Sequence, residues 1–290
     1  MNNSDRSTRI SIANQNKEIV IKKKLYLNIN KPLKFNIYKN IRINPQYNVS
    51  KIIFFKGTTN QAILHLHNIN PNNNIAILNF ANSHTVGGGY MTGAMAQEEE
   101  LARTIIDLFP SLALRATRNK KYYNFKWNKH VFYSSNLSLY RYDNTQSNGK
   151  YNFISSHPIK VSVITAAAPD LNRDASNIKL FKNNSKYFYD IMAKLIHCIC
   201  LVQLSPPVLQ LTHNKINILI LGAFGCGAFS PPQYIQNALN IKYNKIIATL
   251  FAQTITLLKK VLYYDYIYFA IPPGDNYDTF FDVFKSFGLI

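Results

Sequence analysis

Short apolar runs alternate with amphipathic stretches along most of the chain, from about residue 48 to its end. Each apolar run is almost continuous and is bounded by turn-forming residues, which is typical of strands covered on both faces. The runs are KIIFF, NNNIAILNFAN, KVSVITAAAP, KINILILGAFG and DYIYFAIPP. Apolar residues recur with helical spacing in TNQAILHLHNI, QEEELARTIIDLF, KYFYDIMAKLIHCICLVQL, PPQYIQNALNIKYNKIIATLF and YDTFFDVFKSF. This alternation predicts an α/β fold of three layers, in which a mainly parallel or mixed sheet lies between helices.

Local signals predict two helix boundaries. The helix that begins near Ala96 is expected to end at Pro110, because proline lacks the N–H that continues a helix. The helix before the last strand is expected to begin at Ser230 and Pro231, with Ser230 as its N-cap.

Two segments interrupt the alternation. Residues 1–47 are polar and rich in Lys and Asn, and we interpret them as an N-terminal accessory segment before a domain that covers residues 48–290. Residues 119–157 are rich in Tyr, Asn and Ser and are expected to form an irregular insertion near the functional edge of the sheet.

The composition allows one full-sized hydrophobic core, because the 290 residues are 47% hydrophobic. No apolar run reaches the roughly 18 residues needed to span a bilayer, and the polar N-terminus does not resemble a signal peptide. We therefore predict an intracellular protein, cytoplasmic or nuclear, with no membrane partner. The three cysteines, Cys198, Cys200 and Cys226, are expected to be reduced and to serve as packing.

The charge balance leaves two interpretations open. Lys and Arg number 33 against 14 Asp and Glu, which gives a formal net charge of +19. Such an excess favours a polyanionic partner, and nucleic acid is one candidate. A chain crowded with Lys, Asn, Ile and Tyr also arises from biased composition alone, so only a local basic patch beside a site would favour binding.

A glycine loop followed by acidic residues is the main candidate for chemistry, in the stretch NIAILNFANSHTVGGGYMTGAMAQEEE. Three glycines allow positive φ and close approach of the backbone to a phosphate or ribose, although a flexible turn would also explain them. The glutamates could likewise serve only to offset the helix macrodipole. Successive helical residues are about 100° apart, so at most two of the three can share a ligand, and Glu100 is expected to face solvent.

A resemblance makes this stretch more specific. GGG, seven residues and then QEE, after a strand that ends in NFAN, is similar to the signature of the bacterial-type poly(ADP-ribose) glycohydrolases, which have the macrodomain fold. LFPSL, VSVITAAAP, LILGAFGCGAF and YFAIPPGDNYDTFFDVF resemble further segments of that family in the same order. The resemblance spans roughly residues 48–290, with Val86 where the family often has proline.

The resemblance implies the roles of the site residues. Glu99 would be the catalytic acid and base that cuts the ribose–ribose bond, and Glu98 would hold ribose hydroxyls in position. Phe229 would pack on the distal ribose, which Asn82 would also contact. The implied substrate is poly(ADP-ribose) or an ADP-ribosylated protein, with no cofactor and no metal. The substrate-binding residues implied are Asn82, Gly87, Gly88, Gly89, Gln97, Gly222, Gly225, Cys226, Gly227 and Phe229.

Two alternatives remain. A macrodomain could bind ADP-ribose without cutting it, but such a module would not need the QEE carboxyls. A basic single-stranded nucleic-acid binder could use the Tyr and Lys residues of 119–157, but this would leave GGG and QEE unexplained. His65 and His67 lie on different faces of a predicted helix and do not suggest a metal pair, and His84, Asp170 and Ser205 form no catalytic constellation.

Overall fold

A seven-stranded mixed sheet forms the centre of the computed structural model, which describes residues 5–25, 31–37, 50–116, 125–154, 157–183, 185–204, 216–262 and 264–290. The strand order is β1-β4-β5-β3-β6-β7-β2. The five strands from β5 to β2 run parallel, whereas β4 is antiparallel to both β5 and β1. The strands are β1 (Leu33–Asn36), β2 (Lys51–Lys56), β3 (Ile75–Ala81), β4 (His130–Leu139), β5 (Ile159–Ala167), β6 (Ile218–Leu221) and β7 (Tyr266–Ile271).

Helices cover both faces of the sheet. In the described residues they are α1 (Arg6–Lys22), α2 (Thr59–Ile69), α3 (Gln97–Thr104), α4 (Leu108–Ala113), α5 (Ala175–Asn183), α6 (Ser185–Leu204), α7 (Gln233–Ala238), α8 (Tyr243–Leu258) and α9 (Asp275–Ser286), with a 3₁₀ turn at Tyr90–Thr92. Alternate residues of β3 face two different cores, because successive side chains of a strand point to opposite faces. Ala76 and Leu78 pack with α6, α8 and α9, whereas Ile75 and Ile77 pack with α2, α3 and α4. The predicted three-layer α/β fold is confirmed.

The helix that follows the glycine loop is shorter than predicted. It ends at Thr104, where the carbonyl oxygen of Thr104 accepts from Tyr140 N–H at 2.9 Å and Ile105 forms a bridge with Leu139. The chain then starts α4, and Pro110 is its third residue. The prediction that Pro110 ends the helix is therefore wrong, because the first N–H groups of a helix have no partner within it and proline is tolerated there.

The segment predicted as one helix from Ser230 forms two helices, α7 and α8. Asn240 has φ of 49°, which breaks the helical path between them, and the Gln236 side chain accepts from Tyr243 N–H at 3.0 Å at the start of α8. Ser230 is not an N-cap, because its hydroxyl donates to the carbonyl oxygen of Gly227 at 2.8 Å and α7 begins at Gln233.

The insertion predicted at 119–157 contains the longest strand in the described residues, so its irregular assignment was wrong there. β4 has ten residues and a register shift between Ser134 and Leu137. The strand contains buried serines, which interrupt the apolar pattern on which the prediction relied. Both serine hydroxyls have hydrogen-bond partners, Ser134 with Ser111 at 3.2 Å and Ser138 with Lys160 at 2.7 Å. Residues 119–124, 155 and 156 of the insertion lie outside the described residues.

The N-terminal segment packs on the glycine loop. Arg6 donates from Nε to the carbonyl oxygen of Thr92 at 2.9 Å, and Arg9 donates from Nε to that of Gly93 at 2.6 Å. β1 also adds an edge strand to the sheet. The division of the chain at residue 48 stays a prediction. Among the helices that the structure describes, none has the length and apolarity needed to cross a membrane.

Candidate active site

Three loops meet at one edge of the sheet. β5, β3 and β6 are parallel neighbours, so the loops that leave their carboxyl ends lie side by side, as ligand-binding loops do in open α/β sheets. The first loop, residues 82–96, carries the three glycines and leads into α3. The second, 168–174, follows β5, and the third, 222–232, follows β6.

The first loop needs glycine where it touches the carboxyls. Gly87 and Gly88 have φ of 65° and 56°, a region that other residues rarely occupy. A Cβ on Gly88 would collide with Oε1 of Glu99 and lie 3.1 Å from Oε2 of Glu98, and one on Gly87 would lie 2.7 Å from the Phe109 ring. The loop backbone therefore lies directly against both glutamates.

Glu99 is held by two backbone N–H groups and is only 6% exposed. Its Oε1 accepts from Gly89 N–H at 2.7 Å, and its Oε2 accepts from Ala96 N–H at 2.9 Å. Since Ala96 directly precedes α3, the second bond satisfies a donor that the helix itself leaves without a partner. Glu99 thus caps the N-terminus of its own helix, where a negative charge also offsets the macrodipole. It also fastens the glycine loop to that helix.

Glu98 is buried beside Glu99 in a less polar environment. Its Oε2 accepts from Asn82 N–H at 2.8 Å, while its Oε1 is buried without a hydrogen-bond partner among the described residues. Burial raises the pKa of Glu98 well above its ordinary range and the negative charge of Glu99 raises it further, whereas Asn82 N–H and the Asn79 side chain oppose the shift. Glu98 therefore keeps a proton to higher pH than an exposed glutamate does.

Gln97 fastens α3 to the sheet. The β3–β6 ladder stops at Ile77, whereas the β3–β5 ladder continues to Ala81. Beyond that point the Gln97 amide nitrogen donates to the carbonyl oxygen of Leu78 at 2.8 Å, and its oxygen accepts from Phe80 N–H at 2.9 Å. The Gln97 side chain thus bonds to the β3 backbone where β6 no longer does. This contact fixes the positions of Glu98 and Glu99, which follow it in α3.

Glu100 does not face solvent, and that expectation was wrong. Its carboxylate accepts from Arg103 at 2.9 Å and from the Tyr151 hydroxyl at 2.5 Å. Arg103 is fully buried, and its carbonyl oxygen accepts from the Asn16 side chain of α1 at 2.8 Å. The partners come from α1 and from the segment after β4, which sequence spacing along α3 does not reveal.

Asn82 shapes the start of the glycine loop. Its side-chain oxygen accepts from His84 N–H at 2.8 Å and from Thr85 N–H at 2.9 Å, which is an Asx turn. Val86, where the related family often has proline, is 4% exposed and packs in the core under α3. The Asx turn stabilises the bend that precedes the glycines.

The third loop contains unpaired backbone donors. Within the residues that the structure describes, the N–H groups of Gly225, Gly227, Ala228 and Phe229 donate to no protein acceptor, whereas those of their neighbours close turns. Gly225 has φ of 78°, and a Cβ on it would lie 3.0 Å from that of Ala168. Gly227 is exposed and has open space around its α-carbon. Such a run of donors suits an anion.

The remaining third-loop residues bind the loop to its neighbours. A Cβ on Gly222 would lie 2.9 Å from the carbonyl oxygen of Ala270, so glycine permits close strand contact there. The carbonyl oxygen of Cys226 accepts from Asn276 at 3.4 Å, and burial raises the pKa of the Cys226 thiol. Phe229 is half-buried on the α6 side of the sheet, and its carbonyl oxygen accepts from Leu171 N–H at 2.9 Å.

The other candidates form no second site in the described residues. His65 lies 5.3 Å from the Phe55 ring, and Asp170 closes a turn by accepting from Asn172 and Arg173 N–H groups. Across the described ranges, no three His, Cys, Asp or Glu side chains come together as metal ligands would. Ser205 lies outside the described residues.

The sheet order, the two covered faces and the glycine loops at the carboxyl edge define a macrodomain-like fold. A poly(ADP-ribose) glycohydrolase structure from Thermomonospora curvata is similar over 96% of this chain and 100% of its own, with 20% identity and a TM-score of 0.68. The same enzyme bound to the inhibitor ADP-HPD aligns with a TM-score of 0.63 at 18% identity, over 96% of this chain and 99% of its own. The Deinococcus radiodurans enzyme in complex with ADP-ribose aligns over 83% of this chain and 86% of its own, with 18% identity and a TM-score of 0.59.

The N-terminal half of the chain is similar to the microbial-type PARG family. Residues 2–143, just under half of the chain, match the family model described as the microbial-type PARG catalytic domain. That match contains the glycine loop and α3, and also α1 and β1. No significant match is found among curated protein sequences.

The buried state of Glu98 predicts a pH-dependent stability difference for Glu98→Gln. Because the pKa of Glu98 is raised on folding, its contribution is favourable below its ordinary value of 4.5 and is lost as the pH rises toward the folded-state value. Glutamine does not titrate, so the variant should gain stability relative to wild type as the pH rises from 4.5 toward the raised pKa of Glu98. Urea unfolding across this range measures the difference.

Glu18→Gln, on the exposed side of α1, controls for the change in net charge. A Glu98→Gln difference that stays constant with pH would contradict the assignment of Glu98 as the proton-retaining carboxyl.

Proposed function

We propose that Glu99 is the acid and base that hydrolyses the ribose–ribose O-glycosidic bond of poly(ADP-ribose), and that Glu98 orients the ribose. The observation that carries this proposal is the contact of both carboxyls with the glycine loop, where Gly88 leaves no room for a side chain. A ribose that approached this loop would meet both carboxyls at once. Hydrolysis of a glycoside needs such a carboxyl beside the bond that breaks.

The third loop supplies the complementary part of the site. The unpaired N–H groups of Gly225, Gly227, Ala228 and Phe229 fit a diphosphate, because they present several donors to one anion. The D. radiodurans structure holds ADP-ribose and one of the T. curvata structures holds ADP-HPD, which supports ADP-ribose as the unit that the two glycine loops bind here. α7 has only six residues, so the loop N–H groups rather than a helix dipole would hold the diphosphate.

The reaction proceeds by proton transfers at one carboxyl. The two neighbouring carboxyls share one proton, which Glu98 retains in the free site. Once this proton has moved to Glu99, Glu99 donates it to the oxygen of the leaving ribose as the C–O bond breaks, and the ribose left in the site acquires oxocarbenium character. Glu99, now ionised, takes a proton from water as the water oxygen bonds to the same carbon. The products are the shortened polymer and ADP-ribose, and Glu99 regains its proton.

Glu98 and Phe229 fix the substrate during these steps. While it holds the shared proton, Glu98 can donate a hydrogen bond to a ribose hydroxyl, and in either state its Oε1 can accept one. Phe229, half-buried at the rim of the third loop, would pack on the distal ribose, which Asn82 would contact from the first loop. Misplacing a reacting centre by about 1 Å can cost on the order of 100-fold in rate, so orientation is a substantial part of the chemistry.

The proposed function also bears on the form of the substrate and on the cellular location. The substrate is free poly(ADP-ribose) or polymer attached to protein. Cys198 and Cys200 are unpaired and fully buried in α6, and burial raises the pKa of each thiol to about 12, which supports a reducing, intracellular location. Within the intracellular location, the cytoplasm and the nucleus both fit.

A non-catalytic ADP-ribose-binding module is the weaker alternative. Such a module needs the donors of the third loop, yet it has no use for two neighbouring carboxyls held under a glycine loop. Burying Glu98 with an unpartnered oxygen costs stability, which a binding function would not recover.

The catalytic role predicts that Glu99→Gln abolishes hydrolysis while leaving ADP-ribose affinity within several-fold of wild type. Glutamine keeps the size of the side chain and an acceptor for Gly89 N–H, but it cannot cycle a proton. Turnover should fall by at least about 100-fold, the lower range for general acid–base catalysis. Chromatography of the products of labelled poly(ADP-ribose) measures turnover, and calorimetry measures affinity for ADP-ribose.

Glu100→Gln is the matched control, because it makes the same change one residue further along α3, where the carboxylate faces Arg103. We expect it to retain turnover within about tenfold in a preparation of unchanged fold. Near wild-type turnover by Glu99→Gln would remove Glu99 from the chemistry, and loss of turnover in Glu98→Gln alone would transfer the acid–base role to Glu98.

The geometry of the third loop predicts different effects for substitutions at two of its glycines. Gly227→Ala should leave stability unchanged, because its Cβ meets no atom within 4 Å, yet it should weaken ADP-ribose binding by obstructing the backbone. Gly225→Ala should lower the free energy of unfolding by about 1 kcal/mol or more, because its φ is positive. Unfolding curves and calorimetry on the same preparations separate the two effects. A stable Gly227→Ala variant with full affinity would place the diphosphate elsewhere.

A further inference from the structure

A group of cations lies along the strand at one edge of the sheet. We define the basic patch as Lys34, Arg115, Lys126 and Lys129, which come from β1, the end of α4 and the segment before β4. Lys126 and Lys129 are exposed, and Lys34 and Arg115 are half-buried. Arg115 Nε donates to the carbonyl oxygen of Pro32 at 2.7 Å, and Ile37 N–H donates to that of Lys129 at 2.9 Å, so three separate stretches of sequence bring positive charge to one place.

The electrostatic effects within this group show that the charges act on one another. Burial lowers the pKa of His130 to about 4, and the charges of Lys34, Lys194, Lys126 and Lys129 lower it further. The pKa of Lys34 is likewise lowered by burial, by Arg115 and by Lys126. Every charge in these two sets of causes is positive, so the patch has a positive potential that repels further cations.

The patch lies beside the candidate active site. β4 is antiparallel to β5, and the pairing of Phe132 with Thr165 brings the start of β4 to the edge where β3 ends. With neighbouring strands about 4.8 Å apart, β1 lies roughly 14 Å from β3. On the same face, α4 connects the two regions, because Phe109 contacts Gly87 and Arg115 lies in the turn just after the end of the helix.

The exposed lysines of the patch are not used in ion pairs of the described structure. The ion pairs in the described part of the chain join Arg103 to Glu100, Lys186 to Asp190, and Lys242 to Asp275. Lys126 and Lys129 take part in none of them. These two lysines are therefore available to an anion from outside the chain.

We propose that the basic patch binds phosphates of the poly(ADP-ribose) chain beyond the unit held by the two glycine loops. This inference rests on the proposed function, because it takes poly(ADP-ribose) as the substrate. Each unit of that polymer carries a diphosphate. A polymer that extends from the glycine loops toward β1 would therefore bring its next diphosphates to the patch. The patch would raise the affinity for long polymer and leave the binding of single ADP-ribose unchanged.

The aromatic side chains near the patch favour this polymer over a single-stranded nucleic acid. Sequence-tolerant nucleic-acid binders combine cations with exposed rings on which bases stack. Here Phe125 is buried against Phe132 at 4.5 Å between ring centroids, and Trp127 is half-buried and donates from Nε1 to Asn177 at 3.1 Å. The described part of the patch offers charge beside a glycosidase site and no exposed stacking ring.

The double variant Lys126→Glu/Lys129→Glu tests the proposal. We expect affinity for long poly(ADP-ribose), measured by rapid mixing before appreciable hydrolysis, to fall about tenfold or more at low salt, with ADP-ribose affinity within about twofold. The plot of log affinity against log salt should become shallower by about 0.7 for each phosphate that the variant no longer neutralises. Lys259→Glu/Lys260→Glu, exposed at the end of α8, makes the same charge change as a control and should leave both affinities unchanged.

Each other outcome overturns the proposal. Equal loss of polymer and ADP-ribose affinity would mean that the variant disturbs the site itself, and unchanged polymer affinity would leave the patch without this role. Loss of affinity for a single-stranded oligonucleotide without loss for poly(ADP-ribose) would assign the patch to nucleic acid. Because binding is measured apart from hydrolysis, failure of wild type to cut the polymer would contradict the proposed function alone.

Discussion

The site depends on the hydrogen bonds that join the glycine loop to the first turn of α3. Asn82 N–H donates to Glu98 and Gly89 N–H donates to Glu99, so two buried carboxyls take their partners from the backbone of the same loop. If the loop moved away, each carboxyl would lose a partner at a cost of about 1–3 kcal/mol, more if charged. The loop and the helix therefore form one unit, which positions both acids before any ligand binds.

That unit is fastened to the molecule from both sides. Gln97 bonds α3 to the backbone of β3 where the β6 ladder has stopped, and on the opposite side Glu100 and Arg103 bond it to Tyr151 and to α1. Each of the four consecutive residues of the QEEE run thus has its own set of partners. The one acidic run in a strongly basic chain is explained in this way, with two carboxyls directed at the glycine loop and the third used to hold the helix.

Sequence pattern predicted the fold class and the five parallel strands, because those strands are apolar runs, buried in β3, β5, β6 and β7 and half-buried in the edge strand β2. The break between α3 and α4 escaped prediction, since it depends on Thr104 and Ile105 pairing with residues of β4 and the segment just after it, some 35 positions away. β4 itself was missed because Ser134 and Ser138 are buried but satisfied by partners distant in sequence. The positions of Glu98, Glu99 and the glycines at one edge followed from strand, loop and helix order, whereas the partners of Gln97 and Glu100 required the tertiary structure.

A crystal structure of the protein with ADP-ribose tests the central claim most directly. The account predicts that a ribose lies against the first glycine loop, with a hydroxyl within hydrogen-bond distance of the Glu98 or Glu99 carboxyl. It also predicts that the diphosphate accepts from backbone N–H groups between Gly225 and Phe229. ADP-ribose bound away from both glycine loops, or bound with its riboses distant from the two carboxyls, would contradict it.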